Sequence, residues 1–179
     1  PVRYNFGEIG YVDKLSQTPD EFYNELATNP IHPQTSQPTP GDFRRQYQFL
    51  QTHYESIISI HIPHELSGTY QSALNASKRV ENAKISILDG LSASVGLGLI
   101  VMKAAEMVND GKTHNEIHNA LPNIIKSTDI FLLVKDLSYV VKGGRLPGWV
   151  KKVADFLHIR PVLTTKDNGS MGAAGIIKG

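Results

Sequence analysis

Val2, Tyr4 and Phe6 alternate with polar residues or glycine, the period-two pattern of a strand with one buried face. Thr18-Pro19-Asp20-Glu21 follows with an N-cap, a proline at the first helical position and a glutamate three residues on, which predicts a helix to about Leu26. Between Asn29 and Gly41 the chain carries four prolines among Thr, Ser and Gln. That composition resists helix and strand alike and predicts an ordered loop or a linker. Phe43, Tyr47 and Leu50 keep one apolar helical face. Ser56 to Ile62, with Ile57-Ile58-Ser59-Ile60 at its centre, reads as a buried strand of a parallel sheet.

Ser67-Gly68-Thr69 opens another helix to about Val80, and Ile85 to Leu88 is the next strand. Ser94 to Val108 and His114 to Ile125 read as helices separated by the breaker Asn109-Asp110-Gly111, and Ile130 to Val134 as a further hydrophobic strand. Alternating strand and helix define an α/β fold, a parallel sheet with helices on both faces. From Lys142 the texture shifts to short elements and turns, Gly143-Gly144-Arg145 and Pro147-Gly148 among them. A boundary is expected near Thr128, giving an α/β domain over 1–127 and the start of an α+β domain over 128–179. The opening Pro1 and the closing Gly-Ile-Ile-Lys-Gly read as cut ends.

Composition narrows the function classes. With 179 residues, 40% of them hydrophobic, the chain is long enough to bury a full core. Lys and Arg number 18 against 17 acidic residues, a formal charge of +1, so no electrostatic footprint for nucleic acid is expected. The absence of cysteine removes disulfides, thiolate metal sites and thiol nucleophiles, and is compatible with a cytoplasmic address. The longest apolar stretch, Val95 to Ala105, contains glycines and Lys103 and falls short of the ~20 apolar residues of a spanning helix. No integral membrane segment and no signal peptide are expected.

Two hydroxyl-rich segments carry the candidate chemistry: Thr35-Ser36-Gln37-Pro38 and Leu66-Ser67-Gly68-Thr69-Tyr70. Ser67 follows a predicted parallel strand by a short loop and begins a helix, where the N–H groups of Gly68 and Thr69 would suit an anion. Taken by themselves, these residues are more simply read as an N-cap at Ser67 and turn hydrogen bonds at Thr35 and Ser36. Asp89-Gly90-Leu91-Ser92-Ala93-Ser94 is either a wall of the same cleft or a capped turn. Arg145, after two glycines, could reach a carboxylate or phosphate with its planar fork, or lie in a surface turn. His114 and His118 have the spacing of a metal pair without the arrangement of zinc proteases, which favours a solvated helix face; no metal site is expected. A hydrolase reading needs a base for Ser67, and His64 is the only candidate nearby in sequence.

In order, Thr35-Ser36-Gln37-Pro38-Thr39-Pro40-Gly41-Asp42-Phe43, Leu66-Ser67-Gly68-Thr69-Tyr70-Gln71-Ser72-Ala73, Gly143-Gly144-Arg145-Leu146 and Arg160-Pro161-Val162-Leu163 resemble the motifs of the DegV family, bacterial fatty-acid-binding proteins. The resemblance spans the chain. It implies an α/β domain that holds a long-chain fatty acid and an α+β domain that partly covers it, with no cofactor. It also implies a lipid carrier whose chemistry is done by a partner fatty acid kinase making an acyl-phosphate. The carboxylate-binding role carries over to Thr35, Ser36, Ser67, Gly68 and Thr69, and the partner-docking role to Arg145. Members usually begin with a strand bearing an Asp-Ser-Thr/Ser segment and end with a His-containing C-terminal segment; the stretch from Pro1 to Gly179 includes neither. The common Asp-Ser is Asp89-Gly90, and Pro63-His64-Glu65 replaces a serine-rich run. A Ser67-dependent hydrolase, or a phosphotransferase-like enzyme acting on a small substrate, is the alternative.

Overall fold

The computed structural model describes residues 1–134 and 136–178. Strands β1 (Arg3–Phe6) and β2 (Ile9–Val12) form a hairpin, and β1 also pairs antiparallel with β3 (Gln34–Ser36), giving the order β2-β1-β3. Gly7, at φ 61°, supplies the left-handed residue of the two-residue turn. Tyr4 and Phe6 bury 93% and 98% of their surface against Tyr11 and Phe22 of helix α1 (Pro19–Thr28). The expected capping box starts α1: Thr18 accepts from the Glu21 N–H while the Glu21 carboxylate accepts from the Thr18 N–H.

The proline-rich segment departs from expectation. Gln34 to Ser36 are a strand, paired Asn5 to Gln34, Tyr4 to Thr35 and Arg3 to Ser36. Because β3 lies at a sheet edge, Pro33 and Pro38 flank it without removing an N–H that the ladder needs. Three residues are too few to show a period, so the signal lay in β1 rather than in the segment itself.

Helix α2 (Pro40–Gln51) leads into the expected parallel pair, β4 (Ser56–His61) beside β5 (Lys84–Asp89), joined by α3 (Thr69–Ser77). On one face Ile57, Ile85 and Ile87 pack with Tyr47, Ala73, Ala76 and Val80 under α2 and α3. On the other, Ile58, Ile60 and Leu88 pack with Ile100, Ala104, Ile117, Leu121 and Ile125 from α4 (Ser94–Asn109) and α5 (His114–Lys126). Burying a Leu or Ile is worth ~1.5–3 kcal/mol, so these two clusters fix the carboxyl ends of β4 and β5 from both faces.

The C-terminal part adds β6 (Leu132–Leu133), α6 (Ser138–Lys142), α7 (Gly148–Leu157), β7 (Ile159–Thr165) and β8 (Met171–Lys178), with an antiparallel sheet ordered β6-β7-β8. The run Ile130 to Val134 is therefore a two-residue strand of this separate sheet. Its core is Leu137, Leu146, Ala154 and Leu163, while Trp149 and Phe156 stay 65% and 82% exposed. A second correction concerns His114 and His118: their rings stack at 6.3 Å, half-buried, and His114 Nε2 lies 2.8 Å from Ser86 Oγ on β5. This side of α5 faces the sheet rather than solvent. No described helix is long and apolar enough to cross a membrane.

Candidate functional site

Helix α3 begins at Thr69 with Gly68 as N-cap, so Ser67 lies one residue before the cap. Its hydroxyl still works locally: the Thr69 N–H donates to Ser67 Oγ at 3.3 Å, and the two hydroxyls lie 2.9 Å apart. The Ser67 turn is closed by the Leu66 and Ser67 N–H groups, which both donate to the Pro63 carbonyl at 3.0 and 3.1 Å. The Thr69 N–H is thus engaged, not free as the sequence suggests, although a 3.3 Å bond to a hydroxyl is readily exchanged for a charged acceptor.

Two distant segments converge on this turn. The side-chain amide of Gln37 approaches to 2.7 Å of the point where a β-carbon on Gly68 would stand. Gly68 has φ −68°, so its backbone conformation does not call for glycine, and what a β-carbon would meet there is the flexible amide end of Gln37. Arg145 follows the left-handed Gly144 (φ 78°) and donates from Nε to the Leu66 carbonyl at 3.3 Å, across 79 residues of sequence. Segments 35–37, 66–69 and 143–145 therefore meet. Strand alternation sends Thr35 and Ser36 to opposite faces of β3. Thr35, beside Tyr4, borders a mostly apolar cleft of about 420 Å³ with Val2, Phe22 and Tyr23, and Ser36 shares its register position with Arg3.

Two carboxylates brace the surroundings. Asp42 caps α2 by accepting from the Thr39 N–H at 3.0 Å, pairs with Arg3 of β1 at 2.8 Å and pairs with Arg45. The Arg3 and Thr39 contacts hold its carboxyl well below the usual range. Asp89, at the end of β5, accepts from the backbone N–H of His64 at 3.0 Å and of Leu91 at 2.9 Å, and lies 2.5 Å from His64 Nδ1. That contact raises the His64 pKa. Gly90 sits where a β-carbon would meet the His61 carbonyl at 2.8 Å and Leu97 at 2.6 Å, which accounts for glycine at the position where the family resemblance leads one to expect serine.

His64 therefore faces Asp89, and the bonds of the Ser67 hydroxyl go to Thr69. An Nδ1 contact to aspartate is also how a catalytic histidine is held, but the Nε2 that would have to address Ser67 lies 3.4 Å from Glu65 Oε1 instead. His61 is buried on a chain of hydroxyls, its Nε2 2.8 Å from Ser59 Oγ and that oxygen 2.8 Å from the Tyr47 hydroxyl. Burial lowers the His61 pKa. Among the described residues no cluster of three or more His, Asp or Glu side chains could hold a metal ion. Sequence reasoning missed Gln37 as a contact and Asp42 as a brace, yet the spacing Thr39-Pro40-Gly41-Asp42 is itself a capping signature.

The fold and the site define an α/β protein in which a hydroxyl-bearing helix start, at the carboxyl ends of parallel strands, is met by an arginine from the turn between α6 and α7 of the C-terminal part. The chain belongs to the DegV family: a family model described as "Uncharacterised protein, DegV family" matches residues 1–179. A DegV domain-containing protein of Clostridium perfringens is 35% identical over 183 residues, covering 100% of this chain and 64% of its own. Among solved structures, a DegV family protein from Thermus thermophilus described for its fatty acid binding matches with a TM-score of 0.88 at 30% identity, covering 100% of this chain and 63% of that one. A stearic-acid-binding protein from Eubacterium ventriosum matches at 0.89 and 28% identity, with the same coverage. The chain thus spans somewhat under two thirds of these relatives.

Proposed function

We propose that the protein binds a long-chain fatty acid, gripping its carboxylate between the Ser67-Gly68-Thr69 helix start and the Thr35-Ser36-Gln37 segment, and presents it to a partner fatty acid kinase. The observation that carries this reading is the close approach of Gln37 to Gly68, since it brings together two hydroxyl-bearing segments across 31 positions of the chain. The binding of fatty acids by the Thermus and Eubacterium relatives gives the ligand class. Arg145, exposed and tethered to Leu66, is the residue we assign to the partner-facing side.

Magnitudes divide the work between the ends of the ligand. An acyl chain gains ~0.8 kcal/mol per buried CH₂, whereas a helix start contributes ~0.3–1 kcal/mol to an exposed anion and up to ~2 kcal/mol when partly buried. The tail supplies affinity and the hydroxyls supply orientation. In this reading the protein is a carrier, and the acyl-phosphate chemistry belongs to the kinase.

Solvent extraction of the purified full-length protein followed by mass spectrometry tests the ligand class. Co-purified long-chain acid is expected. An empty protein with ester turnover that disappears in His64→Ala would replace the carrier with the hydrolase. Reconstitution with ATP and candidate kinases, reading acyl-phosphate, tests presentation.

A further inference from the structure

His64 has no part in the grip itself, yet it is built into the turn that carries Ser67. Its backbone N–H and its ring Nδ1 both address Asp89 Oδ2, at 3.0 and 2.5 Å, while Asp89 Oδ1 accepts from the Leu91 N–H at 2.9 Å. The Gly90 N–H donates back to the His61 carbonyl at 2.8 Å. One carboxylate thereby laces the loop after β4 to the loop after β5. Downstream on the same turn, Pro63 holds the Leu66 and Ser67 N–H groups, and the Leu66 carbonyl receives Arg145. His64, the Ser67 hydroxyl and the carbonyl that anchors Arg145 thus lie on one turn, within three residues of each other.

We propose that His64 is a positioning residue for the carboxylate site: its imidazolium, seated on Asp89, holds the Pro63-to-Ser67 turn in the shape that receives the ligand, and its neutralisation loosens that turn. This rests on the carboxylate-binding reading above and adds a regulation to it.

The groups facing the ring support the charged form. Asp89 approaches from β5, with its side chain 16% exposed, and Glu65 Oε1 lies 3.4 Å from Nε2 on the same turn. The α3 side presents the Tyr70 ring at 6.3 Å. The two carboxylates favour a cation, and the hydrogen bond to Asp89, the largest cause, raises the pKa from 6.5. A raised value means that the brace is fully present below the ordinary imidazole value and is lost as pH rises through the raised one. Because the ring is half-exposed, solvent screens the pair, and the effect on binding is about two- to fivefold.

Palmitate titration of the full-length protein from about pH 6 to about pH 9, a range in which a free carboxyl is already ionised, tests the brace. In the wild type the dissociation constant rises about two- to fivefold across the range. His64→Gln keeps a hydrogen-bond donor without a titrating charge, so its affinity falls modestly and no longer changes with pH; His64→Ala and Asp89→Asn are weaker still and equally flat. Fold retention in each variant is read from the far-UV spectrum and melting temperature. A wild-type constant that does not move with pH, or a slope that survives in His64→Gln, overturns the brace and leaves fatty-acid binding standing. Absence of palmitate binding at every pH in the wild type overturns the binding reading and the brace together.

Discussion

The two walls of the candidate site are built in opposite ways. The turn wall, residues 63 to 69, rises directly from a parallel strand whose apolar residues are clamped by helices on both faces, and it is laced to Asp89 and Arg145. The strand wall, residues 35 to 37, continues the edge strand of a three-stranded sheet whose buried residues are mainly aromatic, and besides the Gln37 approach to Gly68 it is tied to the rest of the molecule by the Arg3–Asp42 pair. One wall is held by a core and the other by a ladder and an ion pair. A ligand closing the gap between them would move the strand wall more than the turn wall.

Removing the aromatic support should have the largest effect and should fall on one side. Phe6 is 2% exposed, and Phe6→Ala is expected to cost ~3–5 kcal/mol. Hydrogen exchange read by mass spectrometry should quicken in residues 3–12 and 34–36 while β4 and β5 keep their protection. Equal loss in both regions would show that the walls are one cooperative unit.

Gly68→Ala comes next. Its β-carbon would stand 2.7 Å from the Gln37 amide, the flexible end of a side chain, so the strain is at the lower end of the ~1–3 kcal/mol typical of overpacking. Fatty-acid affinity should fall, and adding Gln37→Ala should recover part of the loss. A double-mutant cycle without coupling would place Gln37 outside the contact.

The smallest effect is a difference of sign with pH. Asp42 has a depressed pKa, so its contribution to the strand wall is present above the ordinary value of 3.8 and is lost as pH falls through the depressed one. The His64 brace runs the other way and weakens as pH rises. Ligand-free amide exchange should therefore loosen at residues 3–5 and 34–36 on strong acidification, and at 63–67 on the alkaline side. Asp42→Asn should abolish the acid response of the strand wall alone.

What could be read from the sequence follows the range over which each signal acts. The Thr18 capping box, the Ile57-to-Ile60 strand and the helices after Ser94 are local patterns, and all are present. The capping boxes at Thr39 and Thr113 carry the same signature. Strands β2 and β3 eluded the reading because four and three residues acquire their identity from pairing with β1 rather than from periodicity. His114 looked like a solvated residue because its partner, Ser86, lies 28 positions away. The site shows the same limit: Ser67 and Gly68 stand out as a motif, but the pairing of His64 with Asp89 is a product of the parallel register that sets His61 opposite Asp89.

The central claim is that a single carboxylate sits between these walls, and a crystal structure of the full-length protein with palmitate tests it most directly. The account predicts the head group within hydrogen-bonding distance of Ser67 Oγ, with the Ser67–Thr69 hydroxyl contact opened to receive it and Gln37 on the opposite side. A carboxylate bound instead beside Lys126 and Lys166, in the cleft of about 410 Å³ that Leu88, Leu91 and Ile125 line, would contradict it.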